Sequence, residues 1–219
     1  MLRGHEIVAK IDVNNRFDLE KLTTKTVDVI IEFSSPAAAV EHLKFCMSRA
    51  IPTVCGTTGW LGYRHEIEKM CIENGGAFFY ASNYSIGVNL FFRLNKMLAK
   101  LMNPHTQYSL TTTEIHHIEK KDAPSGTAIT IAEGLVENLK NKTKWVNNAL
   151  AAEDEIPIWS AREGKVAGTH IVKYISDVDQ IEIIHQAHSR QGFAEGAVIA
   201  AEFLAGKKGI FSMEDLLGA

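Results

Sequence analysis

The sequence predicts an α/β protein built in two parts, a parallel-sheet domain followed by an α+β domain with a mixed or antiparallel sheet. Three observations carry this. Up to residue 84, short apolar runs alternate with amphipathic stretches across short turns, the order that a parallel sheet with crossover helices requires. Beyond residue 107 strand patterns follow one another, and 170–175 and 180–187 are joined across only Ser176, Asp177, Val178 and Asp179. Strands so closely linked must be antiparallel. Finally, an alanine-rich helix over 193–205 has a broad apolar face (Phe193, Ala197, Ala200, Ala201, Leu204) that needs a sheet to cover.

The first part reads as follows. Residues 7–12 (I-V-A-K-I-D) make a short strand ending in an acid, and 27–33 (V-D-V-I-I-E-F) make an apolar strand covered on both faces. Ser35-Pro36 opens a helix whose apolar stripe is Val40, Leu43, Met47 and Ala50. A strand over 52–55 stops at Gly56-Thr57-Thr58-Gly59, and the next helix turns Tyr63, Ile67, Met70 and Cys71 inward before Gly75-Gly76. Residues 77–81 are a strand again, closed by Ser82-Asn83-Tyr84-Ser85.

The style then changes. A long helix spans about 87–102, and a strand rich in β-branched residues covers 107–115. A loop follows, then a helix carrying Ile129, Ala132, Leu135, Val136 and Leu139 at helical spacing. Residues 140–155 read as an exposed connection, 158–162 as a strand, and 212–217 as a last short helix after Gly206. The predicted division is 1–84 with 190–219 as one discontinuous domain, and 85–189 as the other.

Bulk properties exclude several classes. The 219 residues are 46% hydrophobic and 22% charged, ordinary for a soluble globular protein. A net charge of −3 without a basic block argues against a nucleic-acid partner. Cys46, Cys55 and Cys71 lack C-x-x-C spacing and read as reduced thiols of a cytoplasmic protein. No apolar run reaches a membrane span, and the first five residues do not form a signal peptide.

The chemistry concentrates at 114–128, E-I-H-H-I-E-K-K-D-A-P-S-G-T-A. Pro124 bars helix upstream and Ser125 is a favoured N-cap, so Gly126 and Thr127 fall in the first helical turn. First-turn amides at the positive end of a helix dipole are an anion site. Gly126 offers no side chain to block a carboxylate there, with His116, His117 and Lys120 on the adjoining loop. Paired histidines at a strand end are usually just solvated, and such a turn is usually just a helix start. Lys120, Asp122 and the turn in register reverse that judgement.

The run H-H-x-x-K-x-D-A-P-S-G-T-A at 116–128 resembles the signature of the dihydrodipicolinate reductase family. The resemblance covers nearly the whole chain and implies a Rossmann-like nucleotide domain over 1–84 and 190–219, with a substrate-binding and oligomerisation domain over 85–189. It implies NAD(P)H-dependent reduction of 4-hydroxy-tetrahydrodipicolinate, a cyclic unsaturated dicarboxylate on the diaminopimelate route to lysine, by a homotetramer. His116 matches the family's proton donor and Lys120 its second donor. His117, Gly126 and Thr127 match substrate-binding positions. Asp12, Phe33, Gly56, Thr57, Thr58, Ala81, Ser82, Asn83 and Tyr84 match positions that contact the dinucleotide, at the carboxyl ends of strands where open α/β sheets bind ligands. Arg190 is placed at the cofactor cleft. An acid such as Asp12 accepts from a ribose hydroxyl and repels a 2′-phosphate, tilting the cofactor towards NADH; Lys10 and Arg16 weaken that tilt. No metal is needed for this chemistry.

Family members open with a strand and a G-x-x-G-x-x-G turn that cradles the pyrophosphate. This sequence begins at a stretch resembling the end of the helix after that turn, so the first βα unit, roughly 20 to 25 residues, is expected to be missing. Two other readings follow. One is a truncated, catalytically silent member that keeps the fold and the dicarboxylate site. The other is a metal hydrolase on His116, His117, His185 and His188, which lacks an H-E-x-x-H motif. His170, His185 and His188 are otherwise expected to be structural or solvated.

Overall fold

A computed structural model describes residues 3–148 and 150–218, so the reading of Met1-Leu2 lies outside it. In chain order the elements begin with β1 (Ile30–Glu32), α1 (Pro36–Ser48), β2 (Thr53–Cys55), α2 (Arg64–Glu73), β3 (Ala77–Tyr80) and α3 (Ile86–Met102). They continue with β4 (Ser109–His116), α4 (Gly126–Val136), β5 (Lys144–Val146), β6 (Glu155–Arg162) and β7 (Gly168–Ile175). The last are β8 (Gln180–Ala187), α5 (Gln191–Leu204), β9 (Gly209–Phe211) and α6 (Met213–Leu216). The chain forms two compact units, Met1–Tyr84 with Ala194–Ala219, and Ser85–Phe193.

In the first unit β1, β2, β3 and β9 form a wholly parallel sheet in that order. Its core sets Leu43, Cys46 and Met47 of α1 and Ile67 and Cys71 of α2 against Cys55 and Phe78 of the sheet. Fully burying side chains of that size is worth roughly 1.5–3 kcal/mol each. From α5 this unit buries Gly196, Ala197, Ala200 and Leu204. Gly196 lies so close to the chain that a Cβ there would fall 1.7 Å from the Tyr84 carbonyl oxygen.

Several expectations for this unit are corrected. Residues 7–12 form no strand among the described residues, and Ile7 and Val8 are exposed. Asp12 ends the stretch instead. Its carboxylate accepts from Val13 N at 2.7 Å while Asn15 Oδ1 accepts from Asp12 N at 2.7 Å, a capping box that opens a 3₁₀ segment, Val13–Lys21. The strand expected over 27–33 shrinks to three residues because β1 is an edge strand of the described sheet, with Ile31 and Phe33 exposed. Tyr63 is exposed rather than inward, because it belongs to a 3₁₀ turn ahead of α2. β9 was not foreseen; three residues carry no period, and only pairing with β3 makes them a strand.

The second unit has a five-stranded mixed sheet, ordered β5-β6-β4-β7-β8. β4 runs parallel to β6 and antiparallel to β7, and β7 and β8 form the hairpin expected from their short turn. α3 and α4 supply Phe91, Ala99, Ala132 and Leu135 to a core with Ile156, Ile158, Val172 and Tyr174. The connection expected over 140–155 holds β5, whose half-buried Trp145 packs on this core, and β6 begins at Glu155 rather than 158.

Candidate active site

The two-residue period of β4 puts Leu110, Thr112, Glu114 and His116 on its buried face. The first two fill the core. The last two bring a carboxylate and an imidazole to the strand's carboxyl end. Glu114 is wholly buried, and its Oε1 accepts from Arg162 Nη2 at 3.0 Å and from Ser125 N at 3.2 Å. Its Oε2 lies 2.8 Å from His116 Nδ1, an ion-pair contact in which the ring N–H is not aligned as a linear hydrogen bond. Burial alone would raise the Glu114 carboxyl, but bonding with His116, Ser125, Ser160 and Arg162 outweighs it and holds the group well below the carboxylate range.

Strand register adds a third group. Glu114 faces His170 on β7, and His170 faces His185 on β8. The His116 and His170 rings meet edge to face at 5.2 Å, and His170 Nε2 lies 3.4 Å from Ser125 Oγ. Burial, then the neighbouring His116, pushes His170 down from 6.5 to about 3. Of the two roles expected for His170, structural or solvated, the solvated one does not hold: the ring is buried against the motif itself.

The His170 shift sets a pH dependence. Between pH 6.5 and about 3 the unfolded chain binds a proton at this position that the folded chain does not. Stability should fall as pH drops through that window, at about 1 kcal/mol per pH unit. Glu114 acts in the same direction below 4.5, since its folded value is depressed. Urea unfolding of His170→Gln across this range should show a flatter slope; a slope equal to the parent's would refute the assignment.

The loop after β4 is clamped from β6. Arg162 donates from Nε to Lys120 O at 3.3 Å, from Nη2 to Asp122 O at 2.5 Å and from Nη1 to Ala161 O at 2.7 Å. Lys120 Nζ pairs with both Asp122 oxygens at 2.7 and 2.8 Å, which is the main reason the Asp122 carboxyl is lowered. Ser125 caps α4 as expected, its Oγ accepting from Ala128 N at 3.2 Å, and Gly126 is exposed at the first helical position. His117 turns the other way, with Nε2 3.3 Å from Arg190 Nη2. Arg190 thus joins the motif loop within the second unit.

In the first unit the remaining expected residues gather at the carboxyl ends of β1, β2 and β3, the edge where an open parallel sheet takes a dinucleotide. Buried Glu32 ties two of these ends together. It accepts from Ser34 Oγ and, at 2.7 Å, from Thr57 Oγ1, which in turn accepts from Ser34 N at 2.7 Å. The exposed Phe33 ring lies against Gly56, where a Cβ would come within 2.1 Å of it. Tyr84 is buried and donates to Cys55 O at 2.7 Å, so its hydroxyl serves the core. Asp12 is not at a strand end, as described above. Phe33, Gly56, Thr58, Ser82 and Asn83 stand in the turns just after these strands.

Glu114, His116 and His170 also bring potential metal-ligand atoms within 4.8 Å of one another. The Arg162 guanidinium on the same carboxylate weighs against a second cation there. The four histidines of a hydrolase reading do not assemble this way, since His116 packs on His170 and His117 on Arg190. Glu114, Arg162 and His170 were missed from sequence. Glu114 alone was findable, because it stands two residues before His116 on a predicted strand.

A parallel α/β unit with loops at its carboxyl edge, and a second unit presenting an imidazole, an ammonium and a helix N-terminus on one loop, place the protein among the nicotinamide-dependent oxidoreductases. Known proteins narrow this. Residues 3–84 match the family model for the N-terminus of dihydrodipicolinate reductase and residues 87–217 that for its C-terminus. The chain belongs to the dihydrodipicolinate reductase family, NAD(P)H-dependent reductases of diaminopimelate and lysine biosynthesis with a Rossmann-like fold. It is 48% identical to the 4-hydroxy-tetrahydrodipicolinate reductase of Christiangramia forsetii over 98% of this chain and 89% of that one. With the enzyme of that name from Methanococcus vannielii it shares 36% identity over 99% and 84%. The structure of a dipicolinate-bound dihydrodipicolinate reductase from Paenisporosarcina sp. TG-14 superposes with a TM-score of 0.73 at 24% identity, covering 90% of this chain and 77% of that one, a likeness of fold. Among the described residues no helix is long and apolar enough to cross a membrane.

Proposed function

We propose that this reductase acts on 4-hydroxy-tetrahydrodipicolinate, yielding tetrahydrodipicolinate, in the cytoplasm and with NADH or NADPH. The observation that carries the reading is the shared frame of Glu114, His116 and Ser125, which sets an imidazole beside the start of α4. The 4-hydroxyl leaves with a neighbouring ring proton as water, and to the unsaturated ring that remains the nicotinamide, when bound, supplies a hydride. His116 gives a proton from Nε2 to the ring carbon as the general acid. Lys120, oriented by Asp122, meets the developing nitrogen charge and a carboxylate. His117, Gly126 and Thr127 hold carboxylate oxygens, and the 3.3 Å approach of Arg190 to His117 supports adding its guanidinium to that anion site. Asp12, Phe33, Gly56, Thr57, Thr58, Ala81, Ser82, Asn83 and Tyr84 are assigned to the nucleotide, Tyr84 through its backbone. Asp12 favours NADH.

In this reading 1–84 with 190–219 carries the nucleotide, apart from Arg190 at the anion site, while 85–189 carries substrate and assembly. Support for a homotetramer through the second sheet comes from its uncovered face. There Trp159, Thr113, Ile171 and Ile184 form one cross-strand row, with Trp159 and Ile184 exposed by 54% and 55%. Nicotinamide oxidation on adding the substrate, with each nucleotide in turn, tests the function; no turnover with either would reject it.

A Cβ at Gly126 meets nothing within 4 Å, so Gly126→Ala should fold as the parent does. Its expected defect is a rise in substrate KM with nucleotide affinity kept. An unchanged KM would remove the α4 start as the carboxylate anchor.

A further inference from the structure

We propose that Glu114, backed by Arg162, is a positioning residue of this site: it holds His116 by Nδ1, so that Nε2 delivers the proton, and holds the Ser125 amide, so that the anion-binding start of α4 shares the same frame. The inference rests on the proton-donor reading of His116 given above and deepens it.

Two other elements join Glu114's own strand at this one carboxylate. β4 supplies His116 at 2.8 Å, β6 supplies Arg162 at 3.0 Å, and the start of α4 supplies Ser125 N at 3.2 Å. Burying a carboxylate and a guanidinium is costly, and apolar residues of similar volume often stabilise a core as well or better. Position 114 lies on the same face as Leu110, a core residue, so the fold alone does not call for a charge there. What the carboxylate adds is geometric. Through Arg162 it also reaches the carbonyls of Lys120 and Asp122, so one pair fixes imidazole, ammonium-bearing loop and helix start together.

The consequence for His116 is a choice of tautomer. A carboxylate accepts only, so its 2.8 Å approach to Nδ1 favours a hydrogen on that nitrogen, which a small turn of the ring would bring into line. The ring can then be a cation with its second proton on Nε2, and it returns to the Nδ1–H form once that proton is given. Nε2 faces Gly168, whose missing Cβ would stand 3.1 Å away, so that side of the ring is kept clear. The other titratable or charged groups around the pair are His170 on β7, His185 beyond it on β8, and Lys120 with Asp122 on the loop. His170 meets the ring in a T-shaped contact, and the acceptor beside Nδ1 is Glu114.

Glu114→Gln tests this. The amide can still accept from Arg162 and Ser125, but it turns an N–H₂ towards Nδ1, which then has to accept. Nitrogen-15 NMR of the substrate-free protein should show neutral His116 inverting from the Nδ1–H to the Nε2–H tautomer. Turnover should fall about 10²-fold or more with nucleotide affinity unchanged, the scale seen when the partner orienting a histidine is lost. Glu114→Asp, which keeps the charge, should retain the Nδ1–H form and guards against a folding defect in the amide variant. An Nδ1–H tautomer persisting in Glu114→Gln, or turnover near the parent's in that variant, overturns the proposal. The proton-donor reading fails separately, through a fully active His116→Gln.

Discussion

His116→Gln should lower turnover by about 10² to 10⁴-fold, the range that a positioned general acid contributes, while nucleotide affinity stays nearly intact. Glutamine keeps much of the ring's reach and can contact Glu114, so the buried carboxylate is not left wholly without a partner. What it cannot do is carry an ionisable proton to the substrate. Lys120→Ala is expected to show the same pattern, because the role proposed for its ammonium is also on the substrate and Lys120 belongs to the second unit, whereas the strand ends assigned to the nucleotide belong to the first. Steady-state kinetics with parallel nucleotide titration separates the two effects. Near-normal turnover in both variants would take these residues out of the mechanism.

The largest stability effect is expected at Gly196. A methyl group there would sit 1.7 Å from the Tyr84 carbonyl oxygen and 2.7 Å from its carbonyl carbon, both backbone atoms that no rotamer change can move. Either α5 or the 81–84 segment must shift. Tyr84 resists, because its ring is buried against Phe79 and its hydroxyl is bound to Cys55 O. Gly196→Ala should therefore cost about 3 kcal/mol or more, at the upper end for overpacking. The same displacement should weaken nucleotide binding, since Ala81, Ser82 and Asn83 belong to the segment that moves. Denaturant unfolding with nucleotide titration checks both, and a midpoint equal to the parent's would show that the helix relaxes freely.

Much of the architecture was legible because hydrophobic period and turn chemistry are local. The α1 stripe of Val40, Leu43 and Met47, the Ser125 cap and the β7–β8 hairpin all depend on neighbours within a few residues, and all are present. Residues 7–12 show where this fails. Alternation makes a segment capable of being a strand, but a strand exists only beside another, and here the local capping box of Asp12 prevailed.

The site divides the same way. By itself the sequence determined the motif loop, with His116, His117, Lys120 and the Gly126 turn, because those residues are contiguous and their spacing is their signature. Tertiary structure alone decided that Arg162 and His170 join them. Arg162 and His170 come from strands 48 and 56 residues away, and their meeting depends on the parallel register of β6 and the antiparallel register of β7 against β4. Register is a property of paired strands. No window of one chain contains it.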